Sequence, residues 1–481
     1  MQDAGPYRQG ISPRGLGQRH RVPARSSAPP CSALFLPVWL VKFSPGQTPR
    51  CETHLAPFIP SHGSFRAMSA RSQRLRITVA GGGVAGVELA LAVHDLAADF
   101  VELTIISPDP AFRCRSLRTA QTFSADHGRR YELSDLADDV EAQLVADSVI
   151  AVDAERHSVL LAGGDVVHHD CLVLATGARH RTAFRRALTF TGDESSSAFN
   201  DLLADLEGHW TRSVAFVVPP GITWPLPLYE LAIMTSVAVH GMAIDDLRIQ
   251  LLSPEPTPLA VFGPTASAAV TDLLDRAGID FCGETHARAT AHGALELLPG
   301  AVRLDAERLV TIPIMEGLRL PGVPADALGF TIIDDRGGVP GLPDVYAAGD
   351  GTTFPVKQGG IACQLADAIA EQLAVRAGVT IEPQPFRPVL RGRLLTGHGA
   401  QYLEHTIPGD AGADPPSEVQ PWSSSHKVHG RYLSPWLDGL DHAPAPRRPT
   451  GTIRPAHTPL DRSPAGRVAV ALDPYSPQVR R

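Results

Sequence analysis

Short apolar runs alternate along this chain with longer stretches in which apolar and small residues dominate. The runs over residues 76–80, 101–106 and 213–218 have the length and composition of buried strands. The stretches over residues 87–96 and 361–374 predict helices. Because strands and helices take turns, the pattern predicts an α/β fold.

A glycine-rich turn with the sequence AGGGVAGVE joins the first strand to the first helix. Gly81 permits a tight turn, Gly83 lets the backbone approach a pyrophosphate, and Gly86 lets helix and strand pack closely. Val84 and Ala85 lie where the free N–H groups of the helix N-terminus would face the phosphates. The sequence therefore predicts a dinucleotide site at this turn. Glu88, which follows it, is interpreted as an acid in a first helical turn, where the helix dipole favours negative charge.

Two further motifs follow in order along the chain. Residues 170–178 read DCLVLATGA, an apolar strand that ends in Ala-Thr-Gly, and residues 341–350 read GLPDVYAAGD. Together with the glycine-rich turn they resemble the two-dinucleotide-binding-domain flavoproteins of the pyridine nucleotide-disulfide oxidoreductase superfamily. The resemblance covers roughly residues 75–440, and its pattern is closest to the branch of type II NADH dehydrogenases and sulfide:quinone oxidoreductases.

The resemblance implies two Rossmann-like, three-layer nucleotide-binding domains, the second inserted in the first, with a C-terminal cap or interface element. The boundaries expected are 1–74 for an extension, 75–190 for the first part of the FAD-binding domain, 191–298 for the inserted NAD(P)-binding-like domain, 299–380 for the second part of the FAD-binding domain, 381–441 for the cap, and 442–481 for a disordered tail. The activity implied is that of an FAD-dependent oxidoreductase, in which electrons pass from a reduced donor, with NAD(P)H first in order, through the flavin to an acceptor.

The same resemblance assigns residues to the FAD. Asp350, after Gly349, would accept a hydrogen bond from the ribityl chain. The family carries an acid for the ribose hydroxyls at the end of the second strand, where this chain has Ser107, followed two residues later by Asp109. Arg115 is expected near the flavin or its phosphates, and a surface arginine without such a contact is the alternative. Further residues expected to line the pyrophosphate side are Ala175, Thr176 and Gly177.

Lys357, Gln358 and Gly359 stand directly before the helix predicted over residues 361–374. The resemblance implies that this helix points its positive end at the flavin pyrimidine ring, which gathers negative charge on reduction. Lys357 would add to that field and is a candidate catalytic residue. A solvated loop lysine is the alternative.

The loop after the strand at residues 213–218 departs from the family pattern. Its sequence is PPGITWPLP, in which Gly221 is the single glycine, and proline has no N–H with which to bind phosphate. This departure leaves three hypotheses: an NAD(P)H-dependent flavin reductase with an unusual loop, an enzyme of the sulfide:quinone oxidoreductase type, and a non-enzymatic flavin-binding redox sensor.

The six cysteines are scattered and form no C-x-x-C pair, so the sequence predicts neither a disulfide framework nor a zinc site. Cys171 and Cys363 are candidate catalytic thiols under the sulfide hypothesis, and buried small hydrophobic residues under the alternative. Cys114 lies near the position at which some relatives link FAD covalently. No ligand spacing predicts a bound metal.

The composition of the chain limits the classes of partner that the protein is expected to bind. The net charge of −8 argues against nucleic acid, and no run of about 18 apolar residues predicts a spanning helix. The expected partners are a small-molecule donor and acceptor in a reducing cytoplasm, without peripheral membrane contact, and the cap allows for a homodimer. Residues 1–67 contain ten prolines and eight Lys or Arg. We interpret Met68 as the start of the protein, with an Arg-rich transit peptide as the alternative.

Overall fold

The computed structural model describes residues 74–112, 118–123, 130–192, 195–291, 293–407 and 426–442. All of these residues belong to the second of the two compact units of the chain, Arg71–Arg481. Cys114, Arg115, the N-terminal extension and the tail after residue 442 lie outside the described residues.

Strands and helices alternate as the sequence pattern predicts. In chain order the strands β1 to β23 are Leu75–Ala80, Val101–Ile106, Ala111–Phe112, Tyr131–Glu132, Gln143–Val145, Val149–Asp153, Ser158–Leu161, Val166–His168, Cys171–Leu174, Arg179–Arg181, Leu188–Thr189, Ser213–Val217, Arg248–Leu252, Ile279–Cys282, His286–Ala289, Leu295–Leu298, Val302–Arg303, Arg308–Thr311, Ile314–Glu316, Gly338–Val339, Leu342–Ala347, Val389–Leu395 and Ala400–Thr406. The helices α1 to α8 are Val84–Ala97, Arg118–Thr122, Leu133–Asp139, Ser195–Glu207, Leu226–Gly241, Pro264–Arg276, Gly359–Arg376 and Leu433–His442.

The first domain is built on a six-stranded sheet in the order β20-β21-β9-β1-β2-β5. Strands β21, β9, β1, β2 and β5 are parallel, and β20 is an antiparallel edge. Alternate residues of β9 face opposite layers: Cys171 and Val173 pack with helices α1 and α7, whereas Leu172 and Leu174 pack with the small antiparallel sheet β6–β8. This is the three-layer arrangement that the sequence predicts.

The second domain has a five-stranded parallel sheet in the order β11-β18-β12-β13-β14. Val214 and Phe216 of β12 face a core shared with helices α4, α5 and α6, while Ala215 and Val217 face the sheet β15–β17. The five-stranded sheet includes β18 (Arg308–Thr311). The second domain therefore extends past residue 298, at which the sequence predicted the return to the first domain. The reason is that β18 pairs with β12, a partner more than 90 residues earlier that no local pattern reveals.

The chain passes between the domains through an antiparallel pair, β10 with β19. After α7, the hairpin β22–β23 packs into the core of the second domain through Leu390, Leu394 and Leu403. Helix α8, near the end of the described chain, packs into the core of the first domain through Leu433 and Leu437. The C-terminal element therefore holds both domains.

None of the described helices is both long and apolar enough to cross a membrane.

Candidate functional site

A cleft of about 1460 Å³ runs along the carboxyl ends of the parallel strands in both domains. Parallel α/β folds bind ligands at this edge, because the loops that follow the strands meet there. The cleft unites residues that the sequence singled out from four separate segments: Gly81, Gly83, Val84, Ala85, Ser107, Ala175, Thr176, Gly177, Gly349, Asp350, Lys357, Gln358 and Gly359.

The three motif glycines meet three different environments. A side chain at Gly81, whose φ is +124°, would place its Cβ 2.2 Å from the carbonyl oxygen of Ala175. A Cβ at Gly86 would lie 1.9 Å from the carbonyl oxygen of Gly81, so only glycine at position 86 lets α1 pack this closely against the turn. A Cβ at Gly83 would meet no atom within 4 Å. The backbone at Gly83 is thus open to the cleft, where a phosphate could approach closely.

Helix α1 begins beside that opening. Gly83 is its N-cap residue, and no described side chain caps the helix there. The first N–H groups of an α-helix have no partner within the helix, and they carry partial positive charge. The amides of Val84 and Ala85, both lining the cleft, are therefore positioned to bind an anionic group.

Ser107 and Asp109 line the cleft at the end of β2. The Ser107 hydroxyl, which is buried, donates to the carbonyl oxygen of Asp109 at 2.8 Å. Asp109 Oδ1 accepts a hydrogen bond from the amide of Ala111 at 3.1 Å. Ser107 thus uses its proton inside the loop and keeps oxygen lone pairs for a ligand donor, such as a ribose hydroxyl.

Asp350 follows β21 and also lines the cleft, and its neighbour Gly349 lies between the starts of α1 and α7, close to Ala85 and Ala362. Gln358 is the N-cap of α7: its Oε1 accepts from the amide of Ile361 at 2.8 Å, and its Nε2 donates to the carbonyl oxygen of Arg391 at 3.1 Å. The side chain of Gln358 therefore caps the start of α7. Both of its polar atoms have partners within the protein, and the residue lines the cleft in this fixed conformation.

Lys357 lies between the cleft and the first-domain core. Its Nζ donates to the carbonyl oxygen of Thr352 and lies 3.9 Å from the centroid of the Phe330 ring. Burial lowers the pKa of Lys357 to about 8, although Asp350 and Asp326 act in the opposite direction. A lysine with this pKa is mostly charged at pH 7, and it can release or take up a proton at a pH close to neutral.

The second domain contributes the loop over residues 219–227 to the cleft wall. Thr223 donates its hydroxyl proton to the carbonyl oxygen of Pro355 at 2.6 Å, which ties this loop to the first domain. Trp224 packs on Phe262 with ring centroids 5.7 Å apart. Four of the nine residues in the loop are prolines without an N–H.

The acid at the end of the second strand in this domain is Glu255. Its carboxylate accepts hydrogen bonds from Tyr229 Oη at 2.9 Å and from Ser253 Oγ at 3.0 Å, and burial raises its pKa. Glu255 does not line the cleft, whereas Ser107 and Asp109, at the corresponding place in the first domain, do.

The two candidate thiols of the described chain lie away from the cleft. Cys171 begins β9, about 13 Å along the strand from the cleft residue Ala175 at 3.3 Å per residue, and burial raises its pKa to about 11. Cys363 lies on the buried side of α7. Because a reactive thiol must be ionised and accessible, the structure favours the hydrophobic interpretation for both and does not support catalytic roles for them.

Glu88 also differs from its sequence interpretation. It is fully buried, and it accepts hydrogen bonds from the amides of Tyr432 at 2.9 Å and Leu433 at 2.6 Å. Its carboxylate therefore serves the start of α8 and not the phosphate end of α1. The sequence analysis also missed Asp326, Phe330 and Thr119, which line the cleft from segments without a recognisable motif.

Comparisons with known proteins agree with this geometry. Residues 45–201 match the profile of a family described as pyridine nucleotide-disulphide oxidoreductase. Among solved structures, the chain is similar to the sulfide:quinone oxidoreductase from the hyperthermophilic bacterium Aquifex aeolicus, with 19% identity and a TM-score of 0.63 over 68% of this chain and 83% of that one. A search of curated protein sequences gave no match.

Two other solved structures show the same fold. A ferredoxin reductase from Rhodopseudomonas palustris has 19% identity and a TM-score of 0.51, over 68% of this chain and 81% of that one. A NAD-dependent persulfide reductase from A. fulgidus has 15% identity and a TM-score of 0.50, over 68% and 63%. The predicted α/β fold is confirmed.

Proposed function

We propose that the chain is an FAD-dependent oxidoreductase whose flavin nucleotide lies in the cleft, and the match of residues 45–201 to the pyridine nucleotide-disulphide oxidoreductase family supports this proposal. The observation that carries the proposal is that one cavity is bordered by the starts of two helices and by an acid. The open backbone at Gly83 and the uncapped α1 N-terminus line it together with Asp350, Lys357 and the start of α7. An elongated ligand with a pyrophosphate and a polar ring system fits this arrangement.

Each group has a part in holding the nucleotide. The amides of Val84 and Ala85 would bind its pyrophosphate, and Ser107 would accept a hydrogen bond from a ribose hydroxyl. Asp350 would accept a hydrogen bond from the ribityl chain, and the positive end of α7 and the Lys357 ammonium would stabilise negative charge on the ring. When bound, FAD supplies the two-electron chemistry, and the protein supplies orientation and electrostatics. Arg115 stays a predicted contact, since it lies outside the described residues.

NAD(P)H is the first donor that we propose. The support is the second parallel α/β sheet, whose first loop borders the same cleft through Gly221 and Trp224. Lys357, with its pKa lowered to about 8, is positioned to exchange the proton that accompanies electron transfer.

A donor without a nucleotide is the second candidate, and one specific observation favours it. The proline-rich loop over residues 219–227 offers few amides to a phosphate, and Glu255 is already bound by Tyr229 and Ser253. Sulfide is the first such donor to test. A thiol route would then rest on Cys114, because Cys171 and Cys363 are buried away from the cleft.

Anaerobic titration of the FAD-loaded protein separates these candidates. NADH or NADPH should bleach the flavin absorption band rapidly if a pyridine nucleotide is the donor. Bleaching by sulfide alone, abolished in Cys114→Ala, would support the second candidate. If none of the three reduces the bound flavin, both candidate donors are contradicted, and no reduction by any donor with FAD still bound would leave the flavin-binding redox sensor.

A further inference from the structure

Two buried acids to which the proposed function gives no part hold the same short segment of the chain. Glu88, on α1 of the first domain, is fully buried and accepts a hydrogen bond from the amide of Leu433 at 2.6 Å. Glu230, on α5 of the second domain, is fully buried and pairs with Lys427. We call residues 427–433, which run from one of these anchors to the other, the C-terminal strap.

The anchors hold the strap from both domains. A buried ion pair is often no more stabilising than apolar side chains of similar volume, because each charge loses its hydration. Within the strap, Ser434 adds two further bonds: its Oγ accepts from the amide of Gly430 at 3.0 Å and donates to the carbonyl oxygen of Val428 at 3.1 Å. The strap is therefore fixed in one position against the two domains.

Val428 is the strap residue that reaches the cleft. It is 3% exposed and lines the cleft together with Gly359, the first residue of α7. A Cβ at Gly359 would lie only 2.9 Å from Val428 Cγ2, so the side chain of Val428 packs directly on the backbone of the helix start. The first N–H groups of an α-helix have no partner within the helix. Val428 thus covers one side of the positive end of α7.

Val428 also borders a second, smaller pocket of about 40 Å³. Val428, Gly359 and Gln358 line both cavities, whereas the polar residues Arg391 and Lys427 line the small pocket alone. A polar cavity of this size has room for about three water molecules at 10–15 Å³ each. The two methyl groups of Val428 are therefore an apolar wall between this polar space and the start of α7.

Water at the start of α7 would weaken the field of the helix, because water screens the partial positive charge of its first N–H groups. We propose that Val428 is a positioning residue that seals the start of α7 from water and thereby strengthens the binding of reduced flavin, the more negative form of the cofactor. The inference rests on the proposed function, since it takes the flavin ring to lie at the start of α7.

Anaerobic titration of the full-length apoprotein with FAD and with dithionite-reduced FAD tests the proposal. Val428→Ala removes two methyl groups and would let water reach Gly359. The affinity for reduced FAD should then fall about two- to fivefold more than the affinity for oxidised FAD, the range of a helix-dipole interaction. Val428→Ile, which keeps a branched apolar side chain against Gly359, should leave the ratio of the two affinities as in the wild type.

Val93→Ala is the matched control. Val93 is buried in the same core as Val428, but it lies inside α1 and lines neither cavity. Its variant loses the same two methyl groups and should change both affinities by the same factor. A wild-type ratio in Val428→Ala, or an equal change of ratio in Val93→Ala, would overturn the proposal. A folded wild-type chain that binds neither form of FAD would contradict the proposed function, and this inference with it.

Discussion

At the scale of single residues, the three glycines of the glycine-rich turn have different structural roles. Gly81 and Gly86 are glycines because neighbouring backbone atoms leave no room for a Cβ, whereas Gly83 is open to the cleft. The sequence spacing predicted the tight turn at Gly81 and the close packing at Gly86, because that spacing follows directly from the geometry of a strand-to-helix turn, and the approach of a phosphate to Gly83 stays a prediction. It could not predict the environment of Lys357, since Phe330 and Asp326 come from a loop without a motif.

Alanine at Gly83 and at Gly86 should therefore have opposite effects. Gly83→Ala meets no protein atom, so it should cost no more than about 1 kcal/mol of stability while it weakens FAD binding strongly. Gly86→Ala places a methyl group against the carbonyl of Gly81 and should cost about 1–3 kcal/mol or more, the range for overpacking. Urea unfolding of the apoprotein and FAD titration measure the two effects. Equal loss of stability in both variants would contradict this division.

Lys357 should give the bound flavin a pH dependence. Its pKa of about 8 means that the ammonium charge is present below that pH and is lost as the pH rises through it. The positive charge favours reduction, so the midpoint potential of the bound flavin should change in an additional step near pH 8, where Lys357 loses its charge. Lys357→Met should lower the midpoint potential at pH 7 and remove this step. Lys357→Arg, which stays charged, should keep the potential at pH 7 and also lose the step. Potentiometric titrations that show the step in all three proteins would rule out Lys357 as its source.

At the scale of elements, one helix of each domain binds the C-terminal segment. Glu88 on α1 accepts from the amides of Tyr432 and Leu433, and Glu230 on α5 pairs with Lys427. The apolar pattern of the sequence predicted α1 and α7 but missed α8. Its residues include Pro435 and Gly439, which lower helix propensity. Its start is held by a carboxylate more than 340 residues earlier in the chain, a contact that no local pattern contains.

Breaking one of these contacts should destabilise the whole protein. Glu230→Met leaves the buried Lys427 ammonium without its counter-charge and should cost about 3–5 kcal/mol. Lys427→Met alone should cost a similar amount for the opposite reason. The double variant, with two apolar side chains in contact, should recover most of the loss, as measured by urea unfolding. Additive losses in the double variant would show that the two side chains do not depend on each other.

A buried pair of acids on α1 and α7 should make stability depend on pH. Asp367 hydrogen-bonds Glu88, and burial together with the charge of Glu88 raises the pKa of Asp367 from 3.8 to about 9. The folded state therefore binds a proton that the unfolded state releases, and this contribution is lost as the pH rises toward about 9.

Asp367→Asn cannot release this proton. The unfolding free energy of the wild type should therefore fall relative to that of the variant as the pH rises from about 5 to about 9. Urea unfolding at several pH values measures it. A difference that stays constant over the range would mean that Asp367 does not hold the proton.

At the scale of the whole molecule, the cleft gathers residues from position 81 to position 428. Fold class and the loops that line the cleft followed from the sequence, because each has a local signal. The pairing of β18 with the second-domain sheet and the bridge that the C-terminal element makes between the domains depend on contacts between distant segments.

The most direct measurement is FAD binding by the purified full chain. We predict one FAD per chain, a flavin absorption spectrum, a higher melting temperature with added FAD, and strong loss of affinity in Gly83→Ala and Asp350→Ala. A chain that is folded by circular dichroism, carries no flavin, and neither binds added FAD nor melts at a higher temperature with it would contradict the account.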